Sequence, residues 1–197
     1  MHLTRRHSLK LGGGLIGTSA LSTTPLSATE VLDEPVLNED GLYEQSWFLD
    51  SFLELNDDLT AAQENGKRFV IFWELKGCPY CKETHFVNFA RPDIRAFIRS
   101  NFEILQLNII GSRMVTDFDG EELSEKALAA KYAARFTPTL QFFPPSAEGL
   151  ANLAPVKREI ARLPGYLKPD HFLAMFKYVQ AEAYTTTSFR KYLSAAS

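Results

Sequence analysis

Two cysteines stand three residues apart in the stretch WELKGCPYCK, residues 73–82, and the chain of 197 residues has no other cysteine. A disulfide framework in a small secreted protein needs several cysteine pairs, at longer separations than this one. Cys78 and Cys81 are therefore predicted to be either redox-active or metal-binding.

The residues on either side of the cysteines predict a buried strand followed by a helix. The apolar run RFVIFW, residues 68–73, is typical of a strand covered on both faces. Cys78 would then stand at the helix N-cap, with Pro79 at the first helical position, where its missing N–H costs nothing. The free backbone N–H groups and the helix dipole would favour a thiolate at Cys78 and lower its pKa. Cys81 returns to the same helix face and is predicted to be the sheltered resolving thiol.

The rest of the chain alternates between helical and strand patterns, as expected of an α/β fold. The apolar stripe Phe48, Phe52, Leu55 and Leu59 predicts an amphipathic helix that stops at Asn65-Gly66. Further helices are predicted at 82–90, 92–100, 124–135, 169–182 and 188–193, and further strands at 102–110, 114–118, 139–143 and 157–163. No helical pattern separates the last two strands, which predicts an antiparallel pair.

The first 28 residues show the order of features that marks a cleavable export signal. Residues 1–10 are basic, and residues 11–28 are uncharged, mildly apolar and rich in small residues. The segment is too short and too weakly apolar to span a membrane stably. Residues 4–10, TRRHSLK, resemble the twin-arginine export motif, although Ser8 stands where that motif usually has Phe. We predict cleavage near Ala28, with Ala20 as a competing site; a basic cytosolic N-terminus is the alternative.

Charge and composition set the expected partners and domain limits. Removing residues 1–28 leaves 18 basic and 24 acidic residues, a formal charge of −6, which argues against a nucleic-acid partner. Residues 29–42 contain five acids and no base, and they are predicted to be a solvated acidic leader outside the core. The remaining residues, 43–197, suit one compact domain.

With these features, the sequence resembles members of the thioredoxin superfamily. The resemblance rests on the strand, CPYC and helix order, on Thr137-Pro138-Thr139 directly before a strand, and on a terminal strand that ends at Gly165. The stretches FWELKGCPYC, DFDG and FTPTLQFF are similar to exported bacterial thioredoxin-like proteins, including the SoxW type. The resemblance covers residues 43–182, and it implies a thioredoxin-like α/β fold with a central mixed sheet flanked by helices.

The resemblance also implies roles for single residues. Cys78 matches the attacking cysteine, Cys81 the resolving one, and Pro138 a cis-proline that lies against the active-site disulfide. A cis bond would turn the backbone so that Thr137 pairs with an extended client segment, by strand addition. An ordinary trans turn is the alternative for Pro138. Tyr80, together with Pro79, is expected to contact the same client.

Two departures from the familiar thioredoxin pattern bear on the chemistry. The buried aspartate before the motif is missing, and Glu74 is the candidate substitute that could accept and return the proton of Cys81. A solvated glutamate at the strand end is the alternative. Pro79-Tyr80 replaces the usual Gly-Pro between the cysteines, so the direction of electron flow stays open. The glutaredoxin signature after the last strand is absent from LPGYLKPD, which argues against glutathione use.

Neighbouring residues give weaker indications. Lys76 and Lys82 flank the motif, where they would either lower the pKa of Cys78 or only aid solubility. His85 is predicted to be a surface or helix-packing histidine, with a third metal ligand as the alternative. Trp73 and Tyr80 would rim the site, with a core position as the alternative for Trp73.

Three functions fit these residues. The leading hypothesis is a monomeric periplasmic thiol–disulfide oxidoreductase that reduces client disulfides, has no cofactor beyond its own disulfide, and is re-reduced by a membrane electron donor. The second is a disulfide-forming oxidase or isomerase. The third is a chaperone that holds Cu(I) through two thiolates. A closed zinc site needs four ligands, and beyond the two cysteines the mature chain offers only His85 and His171 as nitrogen ligands.

Overall fold

The computed structural model describes residues 34–196, which lie in one compact unit. The predicted signal peptide, with its twin-arginine residues, and residues 29–33 of the predicted leader lie outside the described residues.

Six α-helices and eight strands make up the described part of the chain. Helices α1 to α6 span Leu55–Glu64, Pro79–Glu83, Pro92–Asn101, Glu125–Lys131, Pro169–Gln180 and Phe189–Ala196. Strands β1 to β8 span Val36–Leu37, Tyr43–Glu44, Arg68–Glu74, Phe102–Asn108, Met114–Thr116, Glu122–Ser124, Thr139–Phe142 and Ala161–Pro164. A π-helical turn, Thr84–Asn88, continues α2.

The central sheet has four strands in the order β4-β3-β7-β8. Strand β3 pairs parallel with β4 and antiparallel with β7, and β7 pairs antiparallel with β8. The predicted mixed sheet is therefore confirmed, and so is the antiparallel arrangement of the last two strands.

Both faces of the sheet are covered, which explains the unbroken apolar run in β3. Phe69, Ile71 and Trp73 face a core shared with α1 and α4, whereas Val70 and Phe72 face a core shared with α3 and α5. All five side chains are buried, with at most 1% of their surface exposed. Successive residues of a strand point to opposite faces, so a strand between two helical layers needs apolar residues at every position.

Helix α1 begins later than the apolar stripe predicted. The helix starts at Leu55, and the Phe52 side chain is fully exposed. Leu53 adopts a left-handed backbone conformation with φ 66°, and its carbonyl accepts a hydrogen bond from Thr116 N–H at 2.8 Å. This contact with β5 holds the chain ahead of Leu55 outside the helix, so Phe52 never reaches the apolar face.

The carboxyl half of the predicted acidic leader is part of the folded unit. Strands β1 and β2 form a hairpin in which Leu42 is only 3% exposed. Leu42 N–H donates to Asn38 Oδ1 at 3.0 Å, and the Asn38 amide donates to Gln106 Oε1 of β4 at 3.4 Å. The expectation of a wholly solvated leader is therefore wrong for this hairpin, because Leu42 is buried and Asn38 is hydrogen-bonded to β4, although Val36 and Leu37 stay exposed.

Other helix and strand boundaries agree with the predicted ones or differ from them by a few residues. Helix α3 starts at Pro92, as predicted, and Ser124 caps α4 by accepting from Ala127 N–H at 3.2 Å. Strand β4 ends at Asn108 rather than at residue 110. Strand β8 starts at Ala161, because Pro155–Lys157 forms a 3₁₀ turn. Within residues 34–196, no helix has both the length and the apolar character needed to cross a membrane.

Candidate functional site

The two cysteines form a disulfide at the start of α2. Cys78 is the N-cap and Pro79 the first helical residue, as predicted, and the two cysteine Cα atoms are 5.3 Å apart. Cys81 N–H donates to Cys78 Sγ at 3.1 Å, so a first-turn backbone donor already points at this sulfur. Cys81 is 3% exposed, while Cys78 is partly exposed. The site therefore has one accessible sulfur and one sheltered sulfur.

The loop before β7 lies against Cys78. The Thr137–Pro138 peptide bond is cis, so the alternative of a trans turn proline does not hold. Cys78 Sγ is 3.5 Å from the carbonyl oxygen of Thr137, and Gly165 N–H donates to the Pro138 carbonyl at 2.7 Å. Strand β8 thus fixes the loop from one side while the disulfide contacts it from the other.

Glu74 ends β3 and is buried, with 1% of its surface exposed. Its two carboxylate oxygens each lie 3.1 Å from His85 Nε2, and Gln106 Nε2 of β4 donates to Oε2. The reading of Glu74 as a solvated residue at the strand end is therefore wrong. Its surroundings are those of a carboxylate oriented from two sides.

His85 is a packing histidine of the π-helical turn and is fully buried. Its Nδ1 is 3.1 Å from Gln45 Nε2, and its ring is surrounded by the rings of Phe48, Phe72 and Phe89 at centroid distances of 5.5 to 5.7 Å. No group of three or more His, Cys, Asp or Glu side chains in the described chain, residues 34–196, is placed to hold a metal ion.

A cavity of about 420 Å³ lies beside the disulfide and brings most of the predicted site residues together. Glu74, Cys78, Pro79 and Cys81 line it from β3 and α2, together with Lys76 and Lys82. The opposite wall is the hairpin, through Leu37, Gly41, Leu42 and Tyr43. Sequence reasoning missed this wall, and the only signal for it was a pair of leucines within an acidic stretch.

The two lysines that flank the motif contact the hairpin. Gly41 lies so close to Lys76 that a Cβ on the glycine would stand 3.0 Å from Lys76 Cδ. Lys82 Nζ lies 5.9 Å from the centroid of the Tyr43 ring and 5.7 Å from that of Phe86. The side chains of both lysines therefore lie against the hairpin, Lys76 beside Gly41 and Lys82 beside Tyr43.

Exposed aromatic side chains stand next to the site residues in the sequence. Tyr80 is 57% exposed and stacks on Tyr166 with ring centroids 5.9 Å apart, while Phe136, which precedes Thr137, is 69% exposed. Burial and the nearby Glu83 raise the pKa of Tyr166, so its phenol stays protonated. Trp73 takes no part in this rim: it is buried and donates from Nε1 to Gln141 Oε1 at 3.0 Å.

Comparison with known proteins agrees with this geometry. The model of the thioredoxin-like domain family matches residues 55–180, and the chain belongs to that family. A thioredoxin-fold protein from Helicobacter pylori is 24% identical, with a TM-score of 0.54 over 66% of this chain and 82% of that one. A thioredoxin from Thermus thermophilus is 21% identical, with a TM-score of 0.47 over 62% of this chain and 81% of that one. The search of curated proteins gave no match.

The family match and the cysteine pair at the start of α2 support a thiol–disulfide oxidoreductase. The likeness to the Helicobacter pylori protein shows the fold.

Proposed function

We propose that this protein is an exported thiol–disulfide oxidoreductase that reduces disulfides in client proteins. The observation that carries the proposal is the asymmetry of the pair. Cys78 is partly exposed at the N-cap beside Thr137, whereas Cys81 is buried behind it. A nucleophile must reach the client, and a resolving thiol must reach only the nucleophile, so this arrangement suits both sulfurs.

The cycle begins with the reduced pair. The Cys78 thiolate attacks one sulfur of the client disulfide, and the other client sulfur leaves as a thiolate and takes up a proton. Cys81 then loses its proton and attacks Cys78 Sγ, which forms the Cys78–Cys81 bond and releases the second client thiolate. Two electrons pass to the client. A membrane dithiol donor then returns two electrons and two protons to the pair.

Glu74 serves as the proton acceptor for Cys81 in the second attack. Both residues line the same cavity, and the Glu74 carboxylate is buried there. Glu74 is the one carboxylate among the described residues that line this cavity, so it is the general base available to Cys81 there.

The client segment binds beside the Thr137–Pro138 loop. The Thr137 carbonyl already faces Cys78 Sγ, and an extended peptide here would exchange backbone hydrogen bonds with the loop. The exposed rings of Tyr80 and Phe136 would cover apolar side chains of the client. Pro79 adds no N–H donor at this surface.

The reduction potential of the Cys78/Cys81 couple tests the direction of electron flow. A value toward −270 mV would support client reduction, and a value toward −120 mV would support the alternative of disulfide formation; both limits are approximate. Insulin reduction by the purified protein tests the activity itself, with Cys78→Ser as the inactive control. Titration with Cu(I) under the same reducing conditions tests the copper-chaperone alternative. Failure to reduce insulin or any other disulfide substrate would overturn the proposal.

Export is tested separately through the twin-arginine residues. Arg5-Arg6→Lys-Lys should block export to the periplasm and retain the unprocessed chain, if the twin-arginine route is used. The mature protein should begin close to residue 29 and migrate as a monomer in size-exclusion chromatography. Unchanged export in that variant would assign the general secretory route instead.

A further inference from the structure

We propose that His85, held by Gln45, is a positioning residue that keeps Glu74 in its ionised, proton-accepting state toward Cys81. This inference rests on the proposed function, because it assigns the control of one proton transfer at the same site. Neither His85 nor Gln45 touches the reacting sulfurs in this assignment; both act through Glu74.

The hydrogen-bond roles along the chain of groups fix the proton on His85. The amide nitrogen of Gln45 can only donate, so His85 Nδ1, at 3.1 Å, must accept. A neutral imidazole that accepts at Nδ1 carries its proton on Nε2. Nε2–H then donates to the Glu74 carboxylate at 3.1 Å, and it offers no acceptor to a protonated Glu74.

The contact with Gln45 also requires the neutral ring, because an imidazolium carries N–H on both nitrogens and could not accept from Gln45 Nε2. Four aromatic rings enclose His85: Phe48, Phe72, Phe89 and, at a centroid distance of 6.1 Å, Tyr43. Besides Glu74, the charged groups that face His85 are Glu34 and Arg95, which share with it a cavity of about 160 Å³.

Both donors to Glu74 are uncharged. His85 Nε2–H contacts both oxygens, and Gln106 Nε2 donates to Oε2 while its own Oε1 accepts from Asn38. A lysine or arginine paired directly with the carboxylate would stabilise the anion and weaken it as a base. Neutral donors orient the carboxylate and leave more of its basicity. The other ionisable groups that face Glu74 are those of the cavity: Tyr43, Lys76, Cys78, Cys81 and Lys82.

The proposed role of His85 affects only the step in which Cys81 attacks the mixed disulfide. The Cys81 proton moves to a Glu74 oxygen, the Cys81 sulfur forms the bond to Cys78, and the Cys78–client bond breaks. If His85 sets the state of Glu74, changes at His85 and Gln45 should alter the pH dependence of this step. They should leave the first attack by Cys78 unaltered, because Cys78 takes its activation from the helix start.

Nitrogen NMR of the intact, unmutated protein tests the assignment without relying on any variant. At neutral pH, the His85 ring should show a protonated Nε2 and an unprotonated Nδ1. A protonated Nδ1, whether in the other tautomer or in the imidazolium ion, would overturn the proposal. This result does not depend on any activity, so it can fail while insulin reduction succeeds.

Kinetics of mixed-disulfide resolution supply the second test. His85→Leu removes the donor to Glu74 and should slow resolution by about 10-fold near pH 7, less than the roughly 100-fold or more expected when the acid–base group itself is lost. His85→Gln retains an N–H donor and should recover most of that loss. Gln45→Glu replaces the donor at Nδ1 by an acceptor, so it should move the proton to Nδ1 and shift the pH profile; Gln45→Leu is its matched control.

Each variant must first show unchanged alkylation of Cys78 and a cooperative melting transition. Glu74→Gln provides the limiting case, since an amide cannot accept the Cys81 proton. If Glu74→Gln and His85→Leu are folded, reduce insulin, and resolve mixed disulfides with the unmutated pH profile, the positioning role is wrong while the oxidoreductase function stands. If the unmutated protein reduces no disulfide at all, the proposed function fails instead.

Discussion

Replacing Arg158 by methionine should destabilise the fold and leave the chemistry of the disulfide unchanged. Arg158 is 2% exposed and Asp117 is fully buried. The guanidinium donates to Asp117 Oδ2 at 2.7 Å, to Asp119 Oδ2 at 2.8 Å and to the Tyr132 hydroxyl at 3.2 Å. None of these residues lines the cavity beside the cysteines.

The expected loss of folding stability depends on the partners that Asp117 retains once Arg158 is replaced. Removal of one partner from a buried ion pair costs roughly 3 to 5 kcal/mol, because the remaining charge stays buried. Asp117 still has Lys131 Nζ at 2.5 Å, the Tyr132 hydroxyl at 2.6 Å and Phe118 N–H at 2.7 Å. Burial and Asp117 raise the pKa of Tyr132, so its phenol remains a donor. We therefore expect a loss of folding free energy at the lower end of this range, about 3 kcal/mol. This loss corresponds to a Tm that is lower by roughly 6 to 12 °C.

Urea unfolding at pH 7 measures this loss. Arg190→Met is the matched control, because Arg190 is an exposed arginine of α6, and its replacement should change stability by no more than about 0.5 kcal/mol. The double variant Arg158→Met/Asp117→Leu should be no more stable than Arg158→Met alone, because Asp117 keeps three partners that its loss would leave unpaired. A loss below about 1 kcal/mol in Arg158→Met, or a gain of stability in the double variant, would refute the reasoning.

Two further outcomes are expected. In the reduced protein, iodoacetamide should alkylate Cys78 well before Cys81, at a pH below the usual thiol pKa of about 8.5. The reason is that Cys81 is only 3% exposed, whereas Cys78 stands at the helix start. Preferential labelling of Cys81 in mass spectra would reverse the assignment. Burial raises the pKa of Asp58 to about 6, against about 3.9 for an unfolded aspartate. The folded state therefore holds this proton more tightly, and the contribution of Asp58 to stability should fall as the pH rises from about 4 to 6, by up to about 3 kcal/mol. Asp58→Asn should remove that dependence and stabilise the protein at pH 7, which urea titrations at both ends of the window would show; equal pH dependence in the two proteins would contradict the raised pKa.

Local signals predicted the core of the site well. The strand, N-cap cysteine and N1 proline lie within a dozen residues of one another, so propensity and capping rules apply directly. The same holds for α3 and α5, which begin at Pro92 and Pro169, the first residues of the predicted helices. In each case the determining contacts are made between residues a few positions apart.

Contacts between distant residues account for what the sequence did not predict. The start of α1 was predicted from the spacing of apolar residues alone. In the structure, it depends on the hydrogen bond between Thr116 of β5 and Leu53. The partners of Glu74 come from 11 and 32 residues away, and Gln45 reaches His85 across 40 residues. One signal was present: Gln106 is a polar residue within the apolar strand FEILQLN, and a buried amide requires partners.

The sheet explains why these polar groups meet where they do. Strands β3 and β4 run parallel with Phe72 opposite Gln106, so Gln106 and Glu74 share the sheet face that α3 and α5 cover. Parallel strands end at the same edge, and α2 starts from that edge with the cysteines. On this face Val70, Phe72 and Ile104 are buried apolar residues, and the polar residues Gln106 and Glu74 follow toward the end from which α2 starts. A buried carboxylate held by neutral donors opposes folding stability, since apolar residues of similar size would pack there without desolvating a charge. Its position at the cysteine end of the sheet is consistent with the proton transfer that we propose for Glu74.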